Sequence, residues 1–233
     1  MEEDEAGRFL EAAREDRYYA LWAVLLTGGL RPSEALALGW DAVDFEKSRV
    51  HVTRSLTRVG VEGWKLVEPK TDASRRGVVL PGVAIDALRE WKATQGRERL
   101  RVGTEWAGHD AGFVFTTPFG EPLDGSNLLH RNFRSIMERA GLGVPEVREN
   151  GEWVPESEAE DPEAARRRRL NPSFRMYDLR HTCATLLLKR GVGAKIVQER
   201  LGHASITLTL DTYAHVLPTM QGEAADELEA VFG

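Results

Sequence analysis

Thr27-Gly-Gly-Leu-Arg-Pro-Ser-Glu-Ala-Leu-Ala-Leu38 reads as a helix end, a turn and a new helix start. The run before it, from about Arg17 to Thr27, is rich in Leu, Val and Trp and predicts a buried helix that Gly28-Gly29 ends. Pro32 suits the first residue of the next helix, Pro32 to Leu38, because its missing N–H has no partner to lose there. Arg31 thereby stands at a helix N-terminus, where backbone N–H groups also favour an anion.

Upstream, Glu2 to Asp16 places Phe9, Leu10 and Ala13 on one face and predicts an amphipathic helix. Downstream comes strand material. Arg49 to Leu56 alternates with period two, and Trp64–Lys70 and Gly77–Leu80 flank a polar turn, Thr71 to Arg76. This predicts a small antiparallel sheet with Lys70 near the hairpin tip. A long helix from about Val83 to Arg101 follows, then a short strand at 113–115 and a helix from Gly125 to Ala140. Residues 142–172 carry four prolines, eight acids and the run Arg166-Arg167-Arg168-Arg169, with no periodic apolar pattern. They are expected to form an exposed, mobile insertion. Helical signal returns at Tyr177–Arg190 and Ala194–Leu201. A turn at Gly202-His203 then leads to Tyr213, and residues 222–233 predict a tail helix with Leu228, Val231 and Phe232 on one side.

The 233 residues carry 31 Lys and Arg against 37 Asp and Glu, a net charge of -6. Two segments concentrate the acids: 1–16 holds seven acids and two bases, and 142–165 holds eight acids and one base. The remainder has 28 basic and 22 acidic residues, a balance of +6, so a phosphate-binding patch is permitted. The single cysteine, Cys183, excludes an internal disulfide framework, and one thiol with scattered histidines makes no zinc site. Cys183 is expected to be buried and inert. No apolar run approaches the ~20 residues of a membrane span, and the acidic start is not that of a signal peptide. We expect a soluble, cytoplasmic protein.

Four segments carry chemistry together: Thr27–Leu38, Pro69-Lys-Thr-Asp72, Tyr177-Asp-Leu-Arg-His-Thr182, and Leu201-Gly-His203 followed ten residues later by Tyr213. Over nearly its whole length the sequence resembles the catalytic domain of tyrosine recombinases of the phage-integrase type. That family's order is Arg, Lys, His-x-x-Arg, His and Tyr; the matching residues here are Arg31, Lys70, Arg180, His203 and Tyr213. Tyr177 stands where the family usually has the first histidine. A tyrosine donates a hydrogen bond but is a poor base at neutral pH, so a lower rate is expected, not a lost activity.

The resemblance implies a mostly helical α+β fold of the DNA breaking-rejoining type with a small antiparallel sheet or hairpin. It also implies site-specific recombination through a 3′-phosphotyrosine and a free 5′-hydroxyl. Arg31 and Arg180 would neutralise the phosphate, Tyr213 would attack it, Lys70 would protonate the leaving oxygen and His203 would hydrogen-bond the same phosphate. No metal and no nucleotide cofactor is expected, since one phosphodiester is exchanged for another. Arg75 and Arg76, beside Lys70, are candidates for DNA backbone contacts, whereas His181 is assigned to structure because it points about a hundred degrees round the helix from Arg180. The partners implied are double-stranded DNA and a homo-tetramer on it, with the isolated domain monomeric and the tail helix docking on a neighbour or on its own domain. The family's separate N-terminal DNA-clamping domain is expected to be absent, which would make DNA binding weak and steeply salt-dependent. Competing readings are a DNA-binding relative that has lost catalysis, a type IB topoisomerase, and a protein-interaction domain; the last leaves the ordered constellation unexplained.

Overall fold

A helix apolar on every side can only lie inside a domain. In the computed structural model, α2 (Tyr19–Gly28) takes that place, with every residue from Ala20 to Leu26 buried. Each such large side chain contributes roughly 1.5–3 kcal/mol on leaving water. The structure describes residues 1–60, 63–68, 75–107, 112–150, 152–159, 168–214, 225–226 and 228–232. Against α2 lies α1 (Glu3–Ala13), which turns Ala6, Phe9 and Ala13 inward. Phe9 meets Trp22 edge-on at 6.4 Å and stands 5.6 Å from Phe133. The 21-residue α4 (Gly82–Val102) packs on α2 through Ala84, Ile85, Leu88 and Trp91.

The predicted helices are present within the usual uncertainty of their ends. They include α3 (Pro32–Leu36), α7 (Asp178–Lys189) and α8 (Ala194–Leu201), followed by α9 (Ile206–Thr212) ahead of Tyr213. The helix expected from Gly125 to Ala140 is one run, α5 (Gly125–Asn127) and α6 (Arg134–Arg139), joined by a wider π-type turn over Leu128–Phe133. Asp124 caps it, accepting from the backbone N–H groups of Ser126 at 2.8 Å and Asn127 at 3.0 Å.

The sheets depart from expectation. β1 (Val43–Asp44), β2 (Arg49–Val52) and β5 (Arg76–Val79) form one antiparallel sheet in the order β1-β2-β5. β3 (Ser55–Val59) and β4 (Gly63–Val67) form another. The expected hairpin between Trp64–Lys70 and Gly77–Leu80 is therefore corrected: β4 returns on β3, and β5 pairs with β2, Val50 opposite Val78. Alternation marks which residues face inward, here Val50, Val52 and Leu56, but carries no information about the partner strand. Residues 113–115 are not a strand either. A single bridge joins Gly39 to Phe113, and Gln95 of α4 holds the segment, donating to the carbonyls of Phe113 (3.1 Å) and Val114 (2.9 Å).

The segment 142–172, expected to be irregular, contains a three-stranded antiparallel sheet, β7-β6-β8. Its strands are β6 (Gly143–Glu149), β7 (Glu152–Pro155) and β8 (Arg168–Pro172). Val147 is buried in it, and Glu146 accepts from Asn171 Nδ2 at 3.1 Å. Pro145 is tolerated because it lies beyond the end of the β7 ladder, where its missing N–H interrupts nothing. Arg168 and Arg169 belong to β8; Arg166, Arg167 and Lys70 lie outside the described residues. Among the described residues no helix is long and apolar enough to cross a membrane. In the tail, Leu228, Val231 and Phe232 are exposed, Phe232 to 81%.

Candidate active site

Four elements meet at the site: the turn before α3, the start of β5, the first turn of α7 and the end of α8. The α2–α3 turn depends on Gly29, which caps α2 in the left-handed region at φ +66°. A Cβ there would stand 3.0 Å from Leu201 Cδ2 and 3.3 Å from Cys183 Sγ, so glycine is needed for space as well as for backbone.

Arg180, on the first turn of α7, is only 1% exposed. Its Nη1 donates to the Gly29 carbonyl at 2.7 Å and its Nη2 to the Leu201 carbonyl at 2.6 Å. Those partners fix the guanidinium without neutralising it. Burial, and then the like charges of Arg31 and Arg76, lower its pKa to about 10, which leaves it cationic at neutral pH.

Arg31 precedes Pro32 in extended conformation. Its carbonyl already accepts from the N–H groups of Glu34 and Ala35, so the anion affinity here comes from guanidiniums rather than from free helix-end donors. Glu34 is buried and accepts from the Arg31 backbone N–H and Nη1, both at 2.8 Å. It also accepts from Arg76 Nη1 (3.1 Å) and Nη2 (2.8 Å). Burial pushes the Glu34 carboxyl up, but the bonds and charges of Arg76 and Arg31 hold it below the usual carboxylate range. Arg76 Nε donates to the Arg200 carbonyl at 2.6 Å, tying β5 to the end of α8.

Arg76, a candidate for DNA backbone contact, has its side chain buried beside Glu34 within the arginine cluster. Position 76 begins a strand facing the core, whereas a polar turn was expected there. Arg75 is exposed and pairs with Glu68 at 2.6 Å. The sequence pointed to Arg31 and Arg180 but not to Glu34 or to Arg76 as the third arginine. The signal for Glu34 was present, an acid three residues after Arg31 on a short helix.

His203 follows Gly202, which caps α8 at φ +68°. Its Nδ1 meets Thr209 Oγ1 at 2.8 Å, so its Nε2 has no hydrogen bond among the described residues. Burial, then the charges of Arg180, Arg31 and Arg76, push its pKa down to about 4. It is neutral at pH 7.

Tyr213 caps α9 and is 1% exposed, packed among Ala184, Leu188, Val197 and Leu201. Burial pushes its phenol up to about 12, with Arg180 opposing that shift. Its hydroxyl lies 3.0 Å from His181 Nδ1. His181, assigned to structure from its angle on the helix, therefore touches Tyr213. The angle argument separates His181 from Arg180 but says nothing of Tyr213, beyond α9, which His181 meets. Tyr177, expected in the site as a donor, is 39% exposed and meets the His181 ring edge-on at 5.3 Å. Cys183 is buried, its thiol pushed up by burial and directed at the Thr27 carbonyl at 3.4 Å. Among the described residues no group of three or more His, Cys, Asp or Glu is placed to hold a metal ion.

Among the described residues, three guanidiniums, one carboxylate and a neutral imidazole come together here, with a buried tyrosine beyond α9. The chain belongs to the phage integrase family, whose model matches residues 1–155 and 156–220. It is 32% identical to a tyrosine recombinase XerC-like protein of Caldanaerobacter subterraneus over 99% of this chain and 54% of that protein. It is 28% identical to an integrase of Streptomyces ambofaciens over 98% of this chain and 52% of that one. The chain thus spans about half the length of these curated relatives. The fold is that of the Tn1549 transposon integrase solved with transposon right end DNA, with a TM-score of 0.71 and 22% identity over 97% of this chain and 65% of that one. The XerA recombinase shares it at a TM-score of 0.60 and 26% identity, over 96% of this chain and 64% of that one.

Proposed function

We propose that this chain is the catalytic portion of a site-specific DNA recombinase that cuts and rejoins DNA through a covalent bond to Tyr213. The observation that carries this is the arginine cluster. Among the described residues, Arg31 and Arg76 share the buried carboxylate of Glu34, and Arg180 beside them binds only carbonyls and stays cationic, which supports an anion site. A scissile phosphodiester supplies such an anion and gains further negative charge on its nonbridging oxygens during attack.

In this reading Arg31 and Arg180 hold the phosphate, His203 donates to it through Nε2–H, and Tyr213 attacks phosphorus. The new bond is a 3′-phosphotyrosine; the bond that breaks releases a 5′-hydroxyl, protonated by Lys70. Rejoining runs the same steps backward, so the bond energy of the backbone is kept and no nucleotide is consumed. Double-stranded DNA is the substrate, and a homo-tetramer on DNA is the working assembly. The exposed apolar residues of the tail, Leu228, Val231 and Phe232, support a protein-docking role for that helix.

Covalent trapping tests the proposal. The chain is incubated with supercoiled plasmid at low salt in excess EDTA without ATP, beside Tyr213→Phe and Arg180→Ala, and stopped with SDS. Protein–DNA adducts in the parent and in neither variant are expected. An adduct that persists in Tyr213→Phe would overturn the assignment of the nucleophile.

A further inference from the structure

The phenol of Tyr213 is buried and its pKa is pushed up to about 12, so at neutral pH it attacks phosphorus only if something removes its proton during the attack. Among the described residues one group lies within hydrogen-bond reach of its hydroxyl, His181 Nδ1 at 3.0 Å. The other site imidazole, His203, has Nδ1 on Thr209. The position where the family usually has a histidine holds Tyr177, whose ring packs edge-on against His181 and limits how the imidazole turns. The rings of His181 and Tyr213 are 5.9 Å apart, so the two side chains are packed as a pair.

We infer that His181 is a catalytic residue of this chain, accepting the Tyr213 proton as the phenolic oxygen bonds to phosphorus. This rests on Tyr213 being the nucleophile. The Tyr213 Oη–phosphorus bond forms, the phenolic proton passes to His181 Nδ1, the phosphorus–O5′ bond breaks, and the 5′-oxygen takes a proton from Lys70. In rejoining, the 5′-hydroxyl attacks, the phosphorus–Oη bond breaks and His181 returns its proton to the phenolate.

The charge state of His181 suits an acceptor. Burial lowers its pKa below the usual value; Asp178 opposes, while Arg180, Arg175 and the Met1 amino group add to the fall. Tyr213, beyond α9, and Tyr177, at the start of α7, also face it, the first through its hydroxyl at 3.0 Å and the second ring-edge-on at 5.3 Å. The imidazole is thus neutral; in the tautomer that carries its proton on Nε2, Nδ1 accepts and the Tyr213 hydroxyl donates. An acceptor so much less basic than the phenolate cannot ionise Tyr213 in advance. The transfer is coupled to bond formation, because a phenolic oxygen bonding to phosphorus becomes strongly acidic.

The test measures the rate of adduct formation on supercoiled plasmid from pH 6 to 9 for the full chain, His181→Asn, His181→Ala and Tyr213→Phe. Asparagine places an amide oxygen near the Nδ1 position, so it keeps a hydrogen-bond acceptor for Tyr213 and removes the base. The expected result at pH 7 is a loss of about 10²–10⁴-fold in His181→Asn, the usual range for a general base. The parent rate is level from pH 7 to 8.5, whereas the His181→Asn rate climbs about tenfold per pH unit as hydroxide takes over. Added imidazole restores part of the rate in His181→Ala. A His181→Asn rate within fivefold of the parent overturns the inference. So does a slow variant that keeps the parent's level pH profile and a His181→Ala that imidazole leaves unchanged, since that pattern belongs to packing alone. If Tyr213→Phe still forms adducts, the nucleophile itself is misassigned, a result separate from any outcome at His181.

Discussion

Glu34→Gln isolates the electrostatics of the site. The Glu34 carboxylate accepts four hydrogen bonds, two on each oxygen: Oε1 from Arg31 Nη1 and Arg76 Nη1, Oε2 from the Arg31 backbone N–H and Arg76 Nη2. A glutamine must turn its NH₂ toward one of those pairs of donors, whichever way it is placed. It also leaves Arg31 and Arg76 without their shared carboxylate, which adds one net positive charge beside Arg180. Removing one partner of a buried ion pair costs about 3–5 kcal/mol. For a chain of this size each kcal/mol moves the midpoint by roughly 2–4 °C, so thermal unfolding should fall by roughly 6–20 °C. Urea unfolding at pH 7.5 and low salt measures the same loss. Sulfate, a doubly charged tetrahedral anion like phosphate, should then stabilise the variant more than the parent, since it offsets the larger excess charge; comparison with the parent cancels the general salting effect. The pH dependence has a definite sign. The folded-state pKa of Glu34 is lowered, so its contribution is present above the unfolded value of ~4.3 and is lost as pH falls through the folded value. The variant should lack that part of the acid limb. A loss below ~1 kcal/mol, with equal response to sulfate, would refute the charge assignment.

Gly29→Ala forces a Cβ into the left-handed region, at ~1–2 kcal/mol, and against Leu201 and Cys183, at ~1–3 kcal/mol more. Because the Gly29 carbonyl holds Arg180, adduct formation should fall together with the unfolding midpoint; an unchanged midpoint would show that the turn has room. His203 should stay neutral far below the range of an ordinary histidine, with a folded pKa of about 4 against ~6.5 unfolded. Its contribution to stability is therefore full above ~6.5 and declines as pH falls toward 4, and proton NMR should find it untitrated at pH 5.5. A midpoint above 6 would contradict the proximity of Arg180, Arg31 and Arg76.

The helices were legible because burial writes itself into spacing. The all-apolar run of α2 and the inward Phe9 and Ala13 of α1 have one reading each. The order of Arg31, Arg180, His203 and Tyr213 was legible for a different reason: each sits at a helix end or first turn marked by Gly or Pro, so its backbone position could be inferred. Pairing between strands was not legible. Val50 and Val78 face each other because of a fold-back through residues between them, and period-two alternation is the same for every candidate partner. Residues 142–172 misled because prolines and acids were read as breakers, while Pro145 occupies a place in β6 where no bond is interrupted. Arg76 and His181 were missed together. Each acquires its role from an element distant in sequence, Glu34 of α3 for one and Tyr213 beyond α9 for the other.

The acidity of the whole chain and the cationic site are reconciled by distance along α7. Two acids at the start of the first helix find their bases at the far end of α7, Glu2 with Lys189 at 2.6 Å and Glu3 with Arg190 at 2.5 Å. Lys189 lies nine residues beyond Arg180, a rise of roughly 13 Å along a helix axis. That exceeds the screening length of ~8 Å at physiological salt, so those acids, already paired, subtract little from the potential at Arg180. Glu34 is the carboxylate held inside the cluster, and Arg76 and Arg31 use it from two sides, while Arg180 binds only carbonyls. On the proposed reading, an incoming phosphodiester meets a local concentration of guanidiniums that the net charge of -6 does not reveal. The same anion raises the cost of a phenolate at Tyr213, because two negative charges would then share one buried site. On the proposed reading, a site that attracts its substrate through guanidiniums must still remove the nucleophile's proton as the new bond forms, and the imidazole of His181 is the described group within reach of the Tyr213 hydroxyl.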